Sequence, residues 1–155
     1  MKSTTKLCFL TFVVIAAAVA FASSDTMMGT WKLNEAKSKL AAGGPKNESV
    51  TYEAAGDNIK VTIEGAASDG TKTNSEWTGK FDGKEYPSTG NPGEDMRSVK
   101  QINDRTIHVV SKKGGKVVLT ARVVVAADGK SRTVTVHGTD ANGKKYTSVA
   151  VYDKQ

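Results

Sequence analysis

The chain has 155 residues, a formal net charge of +6, one cysteine and two histidines. This length allows one domain of ordinary size. The basic residues are interspersed with acidic ones and do not alternate with stacking aromatic residues on one face, which argues against a nucleic-acid-binding surface.

The first 22 residues have the pattern of a cleavable secretory signal peptide. Lys2 and Lys6 precede an apolar run over 7–21, and small residues flank a cleavage site after Ala22. The alternative is a membrane anchor, but the run is shorter than the ~20 apolar residues that span a bilayer. We therefore expect an exported protein, periplasmic or secreted, whose mature domain is 23–155.

Cleavage at this site would remove Cys8, the single cysteine of the chain. The mature domain is then disulfide-free and has no thiolate for metal binding or nucleophilic catalysis. It keeps a modest positive charge, because only Lys2 and Lys6 are lost with the leader. The expected stability comes from an ordinary apolar core.

Turn-forming dipeptides recur along the mature domain. They are Gly56-Asp57, Asp69-Gly70, Asp82-Gly83, Asn103-Asp104, Gly114-Gly115, Asp128-Gly129 and Asn142-Gly143. Such dipeptides favour tight hairpins, because Gly, Asn and Asp tolerate a positive φ. The segments between them alternate apolar and polar residues, as in 59–64, which is typical of half-buried antiparallel strands.

The pattern predicts ten strands and one short helix. The helix covers Asn34 to Leu40, with Asn34 as its N-cap and Gly43-Gly44-Pro45 after its end. Two prolines and two glycines between Pro87 and Gly93 predict a loop. The strands are predicted near 28–33, 48–54, 59–65, 72–81, 85–87, 96–102, 106–112, 116–126, 131–138 and 145–153.

Consecutive hairpins predict an all-β, up-and-down antiparallel meander. Strand twist accumulates along a long meander, and its two free edges would invite aggregation. Closure into a barrel of about eight to ten strands removes both edges. A β-sandwich is the alternative, but sandwiches use longer crossover connections than these tight turns allow.

The first predicted strand contains Gly29-Thr30-Trp31, and a short helical stretch follows it. This resembles the G-x-W opening of lipocalins and fatty-acid-binding proteins, together the calycin barrels. The segment 149–154 is similar to the last strand of fatty-acid-binding proteins, and the whole mature chain resembles small exported bacterial lipocalin-like proteins. The resemblance implies that Gly29 and Trp31 help close one barrel end, and that the interior binds a small hydrophobic or amphipathic ligand.

One departure from the resemblance concerns the ligand. Fatty-acid-binding proteins hold the ligand carboxylate with an Arg-x-Tyr pair on the final strand, and the matching positions here are Ala150 and Tyr152. The tyrosine is retained and the arginine is absent, so the usual ion pair of that family is not expected.

Four residues are candidates for ligand binding: Trp77, Arg97, Gln101 and Tyr152. Trp77 either lines the cavity or belongs to the core. Alternation places Arg97 and Gln101 on one face of their strand. If that face points inward, Arg97 needs water, a carboxylate or an anionic ligand, because a buried unpaired charge is costly; the alternative is that Arg97 faces solvent. The resemblance to lipocalins, in which a basic residue covers this tryptophan, implies that Arg122 covers the Trp31 ring through a cation–π contact; the alternative is that Arg122 extends into solvent.

The sequence carries no pattern of a catalytic site. A G-x-S-x-G elbow, an H-E-x-x-H motif and a phosphate-binding loop are all missing from it. His108 and His137 have no second ligand at strand spacing, which makes zinc or haem binding the least favoured hypothesis. We therefore expect no enzyme activity, no cofactor and no metal. The alternative to ligand binding is a filled barrel that serves as an envelope structural or interaction module.

Overall fold

The computed structural model describes residues 25–42, 44–67, 69–140 and 142–155. The predicted signal peptide over 1–22 lies outside the described residues. In the described part, no helix is long and apolar enough to span a bilayer.

Ten antiparallel strands make up the structure, as the turn spacing predicts. They are β1 (Gly29–Leu33), β2 (Lys46–Ala55), β3 (Asn58–Ala66), β4 (Lys72–Gly79), β5 (Asp82–Thr89), β6 (Met96–Asn103), β7 (Thr106–Lys113), β8 (Lys116–Val125), β9 (Ser131–Thr139) and β10 (Lys145–Lys154). Glycine supplies the left-handed backbone at the hairpins, for example Gly129 with φ 70° and Gly143 with φ 79°. Residues with a Cβ rarely adopt this conformation, which is why most Gly-containing dipeptides located turns. The predicted turn at Asp82-Gly83 is wrong: these residues lie inside β5, at a register shift between Asp82 and Glu85.

The ten strands form one closed barrel, because β1 pairs with β2 on one side and with β10 on the other. The closing seam aligns Trp31 with Lys154 and Leu33 with Tyr152. Every other pair joins strands that are consecutive in the sequence. The predicted meander barrel is therefore confirmed, and the sandwich alternative is excluded.

The seam between β4 and β5 is the most open part of the wall. It contains only two residue pairs, Glu76 with Thr89 and Trp77 with Ser88. The amide of Ser88 donates to the Asp95 carbonyl, on the β6 side, at 2.9 Å. Backbone amides of successive residues in an antiparallel strand point in opposite directions, so the backbone nitrogen of Pro87 faces β4. Few backbone hydrogen bonds join β4 and β5, so the missing N–H of proline costs little there. This explains why β5 extends through Pro87, where the sequence predicted a loop.

The predicted helix over Asn34–Leu40 is only one 3₁₀ turn, η1 (Glu35–Lys37). Asn34 is its N-cap as predicted, and its side chain accepts a hydrogen bond from the Lys37 amide. The helix ends early because Lys39 forms a β-bridge with Val149 of β10. That pairing holds the backbone at Lys39 extended, so the chain beyond η1 is not helical. We call the described residues between η1 and β2, 38–42 and 44–45, the strap.

Candidate functional site

The two ends of the barrel differ in which loops they carry. The upper end carries the strap after η1 and the connections from β3 to β4, β5 to β6, β7 to β8 and β9 to β10. The lower end carries the segment before β1 and the hairpins at 56–57, 80–81, 104–105 and 126–130.

The lower end is closed by the start of the described chain. Trp31 is 0% exposed and Met27 is 1% exposed. The indole Nε1 of Trp31 donates to the Met27 carbonyl at 2.8 Å, which fixes the segment before β1 under the ring. Trp31 therefore closes one barrel end, as the resemblance implied, and Gly29 begins the strand that carries it with φ 95°. We call Met27, Trp31 and Arg132, whose guanidinium lies over the Trp31 ring, the floor.

An interior cavity of about 110 Å³ lies between the floor and the upper end. Its walls are largely aliphatic, with Val50 of β2, Ile63 of β3 and Val134 of β9 among the lining residues. Polar side chains interrupt these walls at a few positions. Binding pockets commonly have this composition, in which apolar walls provide affinity and a few polar groups set orientation.

A second depression of about 410 Å³ lies at the upper end of the barrel, and we call it the mouth. Six residues line both the mouth and the interior cavity: Pro45, Asn91, Glu94, Ser111, Leu119 and Tyr146. These shared side chains form the boundary between the cavity and the mouth. A molecule that enters the interior from the upper end has to pass them.

Tyr146 of β10 is the aromatic residue at this boundary, and the sequence analysis did not identify it. Its ring lies over Gly138 of β9, where an added Cβ would overlap it, and it also approaches Gly44 of the strap. Burial raises the pKa of the Tyr146 phenol, and so does nearby Asp140. Gly138 of β9 is paired with Tyr146 of β10. A glycine inside one strand opposite a tyrosine on the neighbouring strand is the pattern that could have indicated this packing.

Arg132 is the central feature of the floor. It is 2% exposed, and its guanidinium carbon lies 4.9 Å from the ring centroid of Trp31, 4.9 Å from that of Tyr152 and 5.1 Å from that of Tyr52. Three aromatic rings therefore surround one cation, and each such contact is worth roughly 0.5–2 kcal/mol. Arg132 also lines the interior cavity.

The guanidinium of Arg132 has N–H groups that the rings do not satisfy. Its Nε and Nη1 atoms are buried and have no hydrogen-bond partner among the described residues. A cation–π contact engages the face of the guanidinium, whereas its N–H groups point outward in the plane. A buried donor without an acceptor costs about 1–3 kcal/mol. The floor therefore contains a buried cation with two unsatisfied donors.

Of the two alternatives for Arg122, the contact with Trp31 is wrong and the extension into solvent is correct, because the cations on the Trp31 ring are Arg132 and Lys154, the latter with its Nζ 5.2 Å from the ring centroid. Arg122 is exposed on the outer wall of β8, opposite His108 of β7 and Thr135 of β9. On β8 the buried residues are Ala121 and Val123, so the intervening position faces out.

A different arrangement is found near the mouth, where Arg97 of β6 has a carboxylate partner. Its Nη2 lies 2.5 Å from Oε1 of Glu94, and the Ser88 hydroxyl donates to the same oxygen at 2.6 Å. Glu94 and Arg97 both line the interior cavity. The face of β6 that carries Arg97 therefore points inward, which decides between the two alternatives for this residue.

The charge of Glu94 is stabilised despite its burial. Burial alone would raise the pKa of its carboxyl group, but the Arg97 guanidinium and the neighbouring hydroxyls of Ser111 and Ser88 outweigh that cost. The net result is a pKa below the ordinary value. Glu94 is therefore an ionised carboxylate at neutral pH, and its negative charge is matched by Arg97.

Tyr152 of β10 lies beside the floor and lines the cavity. Its hydroxyl donates to the Asn47 carbonyl at 2.9 Å. Burial raises the pKa of Tyr152 to about 12, with Arg132 lowering it in part and Tyr52 raising it. Of the four predicted ligand-binding residues, Tyr152 and Arg97 are the two that the structure brings to the cavity.

Trp77 and Gln101 do not line the interior cavity, which corrects their assignment as ligand-binding residues. Trp77 is part of the core: its ring stacks on Phe81, meets the edge of Tyr86, and donates from Nε1 to the Arg97 carbonyl at 3.0 Å. Gln101 lies at the lower end, where it borders a surface groove next to Phe81. Trp77 is fully buried in the core, whereas Gln101 is half-buried at the lower rim of the barrel.

The histidines lie on the outside of the barrel. His108 and His137 are both exposed, and the Nδ1 of His137 is 3.0 Å from the Thr147 hydroxyl. Among the residues that the structure describes, no group of three or more His, Cys, Asp or Glu side chains is placed to hold a metal ion.

Comparison with known proteins adds to the description of the fold. The chain matches no protein-family model and none of the curated proteins. Among solved structures it is similar to a redesigned β-barrel at 12% identity and a TM-score of 0.48, covering 86% of this chain and 96% of that one. A second redesigned β-barrel, mFAP1 bound to DFHBI, aligns at 12% identity and a TM-score of 0.42 over 86% of this chain and 99% of the other. At this identity the likeness concerns the barrel alone.

Proposed function

We propose that this protein is a lipocalin-like binding protein that takes one small amphipathic molecule into its barrel. The observation that carries the proposal is the interior cavity, which has aliphatic walls, an aromatic and cationic floor and a polar boundary at the mouth. Burial of the apolar part of a guest contributes roughly 25 cal/mol per Å² of surface removed from water. The polar groups at the two ends of the cavity would orient the guest.

The size of the cavity limits the guest. The volume of about 110 Å³ is below the ~300–1,000 Å³ of pockets for drug-sized ligands. It is closer to the ~150 Å³ of an engineered apolar cavity that holds one benzene molecule. The proposed guest is therefore a molecule with one aromatic ring or a short chain, with any longer part extending into the mouth.

We also propose that the protein works outside the cytoplasm and by binding rather than catalysis. The proposal of export depends on the signal-like pattern over 1–22, with cleavage after Ala22. The proposal of a non-enzymatic role depends on the roles of the polar cavity residues. Glu94 and Arg97 are engaged with each other, and the Tyr152 hydroxyl is engaged with a backbone carbonyl.

The second candidate function is an envelope interaction module whose barrel is filled by its own side chains. It is favoured by the aromatic residues in the lower half of the interior, where Trp31, Tyr52 and Trp77 are all buried. In that case the cavity is a packing defect, and the outer wall carries the function.

Native mass spectrometry of the purified protein, followed by titration with small aromatic probes, tests the proposal. We expect a co-purified mass or saturable binding of a probe such as indole. The cavity-filling variant Ala121→Leu should abolish this binding, because Ala121 lines the cavity. The matched control is Ala55→Leu, on the exposed end of β2. If no mass co-purifies and no probe saturates the natural chain, the ligand-binding proposal is overturned.

A further inference from the structure

The two halves of the outer wall differ in charge. The strands β2–β5 contain six carboxylate side chains, Glu48, Glu53, Glu64, Glu76, Asp82 and Glu85. The strands β6–β9, on the other half of the closed barrel, contain no aspartate or glutamate. They carry basic residues instead, of which Arg97 faces the interior and Lys112 forms an ion pair with Glu85 of β5. We call the outer face of β6–β8 the basic wall.

One row of basic side chains crosses the basic wall. The register aligns Lys100 of β6 with His108 of β7 and His108 with Arg122 of β8, and all three residues are exposed. Lys100 and Arg122 take part in none of the ion pairs between described residues. Asp82 of β5 is aligned with Lys100, but its carboxylate accepts a hydrogen bond from the Tyr86 hydroxyl at 3.0 Å. Two permanent positive charges on this wall are therefore available to an anionic partner.

Exposed apolar side chains lie on the same wall. Among the described residues, the exposed large hydrophobic side chains are Leu40 of the strap, Ile102 of β6, and Val117 and Val124 of β8. Ile102 and Val124 lie on the lower side of the basic row, and Val117 lies on its upper side. An anionic bilayer surface accepts both kinds of side chain, because its headgroups attract the cations and the boundary with the acyl chains takes up the apolar groups. A soluble acidic polymer would match the charges alone.

We infer that the basic wall docks on the surface of a bilayer that contains anionic phospholipid. The inference does not depend on the interior cavity, because the side chains that carry it lie on the outside of the barrel. In this arrangement the headgroup phosphates contact Lys100 and Arg122, and the apolar side chains on either side of the row approach the acyl boundary. The barrel then contacts the bilayer with its side rather than with either end, so the mouth stays open to water.

Co-sedimentation with lipid vesicles at low ionic strength tests this inference. One set of vesicles is an equal mixture of phosphatidylglycerol and phosphatidylcholine, and the other is phosphatidylcholine alone. The natural chain should partition about tenfold or more in favour of the anionic vesicles, the effect expected for two cations at an anionic surface. The charge-reversal variant Lys100→Glu/Arg122→Glu should lose this preference. The absence of a preference in the natural chain would overturn the inference and leave the proposed binding of a small molecule untouched.

A matched variant separates the basic wall from net charge. Lys72→Glu/Lys84→Glu changes the net charge by the same amount on the other half of the barrel, where both lysines are exposed. It should lower partition onto the anionic vesicles by no more than about twofold, because charges away from the contact are screened. Equal losses in the two charge-reversal variants would overturn the inference. Residues 1–22 are the same in every variant, so their contribution to partition is common to all of them.

A third variant tests the apolar part of the contact and other occupants of the wall. Ile102→Thr/Val124→Thr keeps the β-branched shape and the charges, and it should lower partition onto the anionic vesicles severalfold because less apolar surface is buried. Partition equal to that of the natural chain would overturn docking on lipid. Binding to polyglutamate without partition onto vesicles would assign the basic wall to an acidic polymer instead. Self-association that Lys100→Glu/Arg122→Glu abolishes, again without partition onto vesicles, would assign it to a second copy of this chain.

Discussion

The floor and the mouth of the barrel each bury an arginine, and they do so by different means. Near the mouth, Arg97 is held by the Glu94 carboxylate, which also accepts a hydrogen bond from the Ser88 hydroxyl. At the floor, Arg132 is held by three aromatic rings and has unsatisfied N–H groups. The comparison shows that the cost of burying a cation can be offset by a counter-charge or by polarisable rings. In both arrangements buried donors stay unsatisfied among the described residues, Nε of Arg97 in the first, and Nε and Nη1 of Arg132 in the second.

Removal of the aromatic base of the floor should have the largest effect. Trp31→Ala removes a fully buried ring that contacts Arg132 and bonds to Met27. We expect a loss of about 3–5 kcal/mol in the free energy of unfolding, or failure to fold. Urea denaturation followed by circular dichroism measures it. A loss below about 1 kcal/mol would mean that the ring does not close the barrel.

Breaking the ion pair at the mouth should have the next largest effect. Glu94→Gln keeps the shape and removes the charge that balances Arg97. The expected loss is about 1.5–3 kcal/mol, because a buried charged hydrogen bond is lost and the cation loses its partner. The exposed ion pair of Lys60 with Glu76 offers the control variant Glu76→Gln, with an expected loss below about 1 kcal/mol. Equal losses in the two variants would contradict the distinction.

The same ion pair predicts a pH dependence that the floor does not share. The pKa of Glu94 is lowered in the folded state, so the unfolded chain takes up the proton first as the pH falls. The stability contributed by this carboxylate is present above its ordinary pKa of about 4.5 and is lost as the pH falls through the lower, folded value. Urea titrations between pH 7 and 3 should show a shallower decline for Glu94→Gln than for the natural chain. Parallel curves would refute this role.

A smaller effect is expected from the hydroxyl of Tyr152, which lies between the two regions. Tyr152→Phe removes the hydrogen bond to the Asn47 carbonyl and should cost about 1 kcal/mol. Because the pKa of Tyr152 is raised to about 12, the natural chain should also lose stability as the pH rises above about 10, where the unfolded phenol ionises. The variant should lose less over that range. An unchanged alkaline profile would argue against burial of this phenol.

The smallest effect on stability is expected at the floor arginine itself. Arg132→Met removes three cation–π contacts but also removes a buried charge with unsatisfied donors. These contributions oppose each other, so the free energy of unfolding should change by no more than about 1 kcal/mol. Arg122→Met is the exposed control, with a change within about 0.5 kcal/mol. A loss of several kcal/mol in Arg132→Met would show that the rings hold the cation for stability.

Only part of the candidate site could be predicted from the sequence. Arg97 and Tyr152 were identified, one from alternation and one from a resemblance, and both line the cavity. Arg132 was missed although alternation could have found it, since it lies two residues before Val134 on a strand whose valines at 134 and 136 face the cavity. Arg122 was proposed for the contact with Trp31 from the resemblance to lipocalins, and because its strand is apolar on both faces, alternation alone does not say which face is inside.

The ten strands, their order and most of their hairpins were determined by the sequence, because period-two alternation and the positive φ of glycine are local properties; the turn predicted at Asp82-Gly83 lies inside β5. Tertiary structure decided the remaining questions: the length of η1, the continuation of β5 through Pro87, and the choice of the arginine that lies on Trp31. Each of these depends on a partner far away in the chain. Lys39 pairs with Val149, Pro87 faces an open seam, and Arg132 meets rings from β1, β2 and β10. Such contacts form only when the barrel closes, so no single segment encodes them.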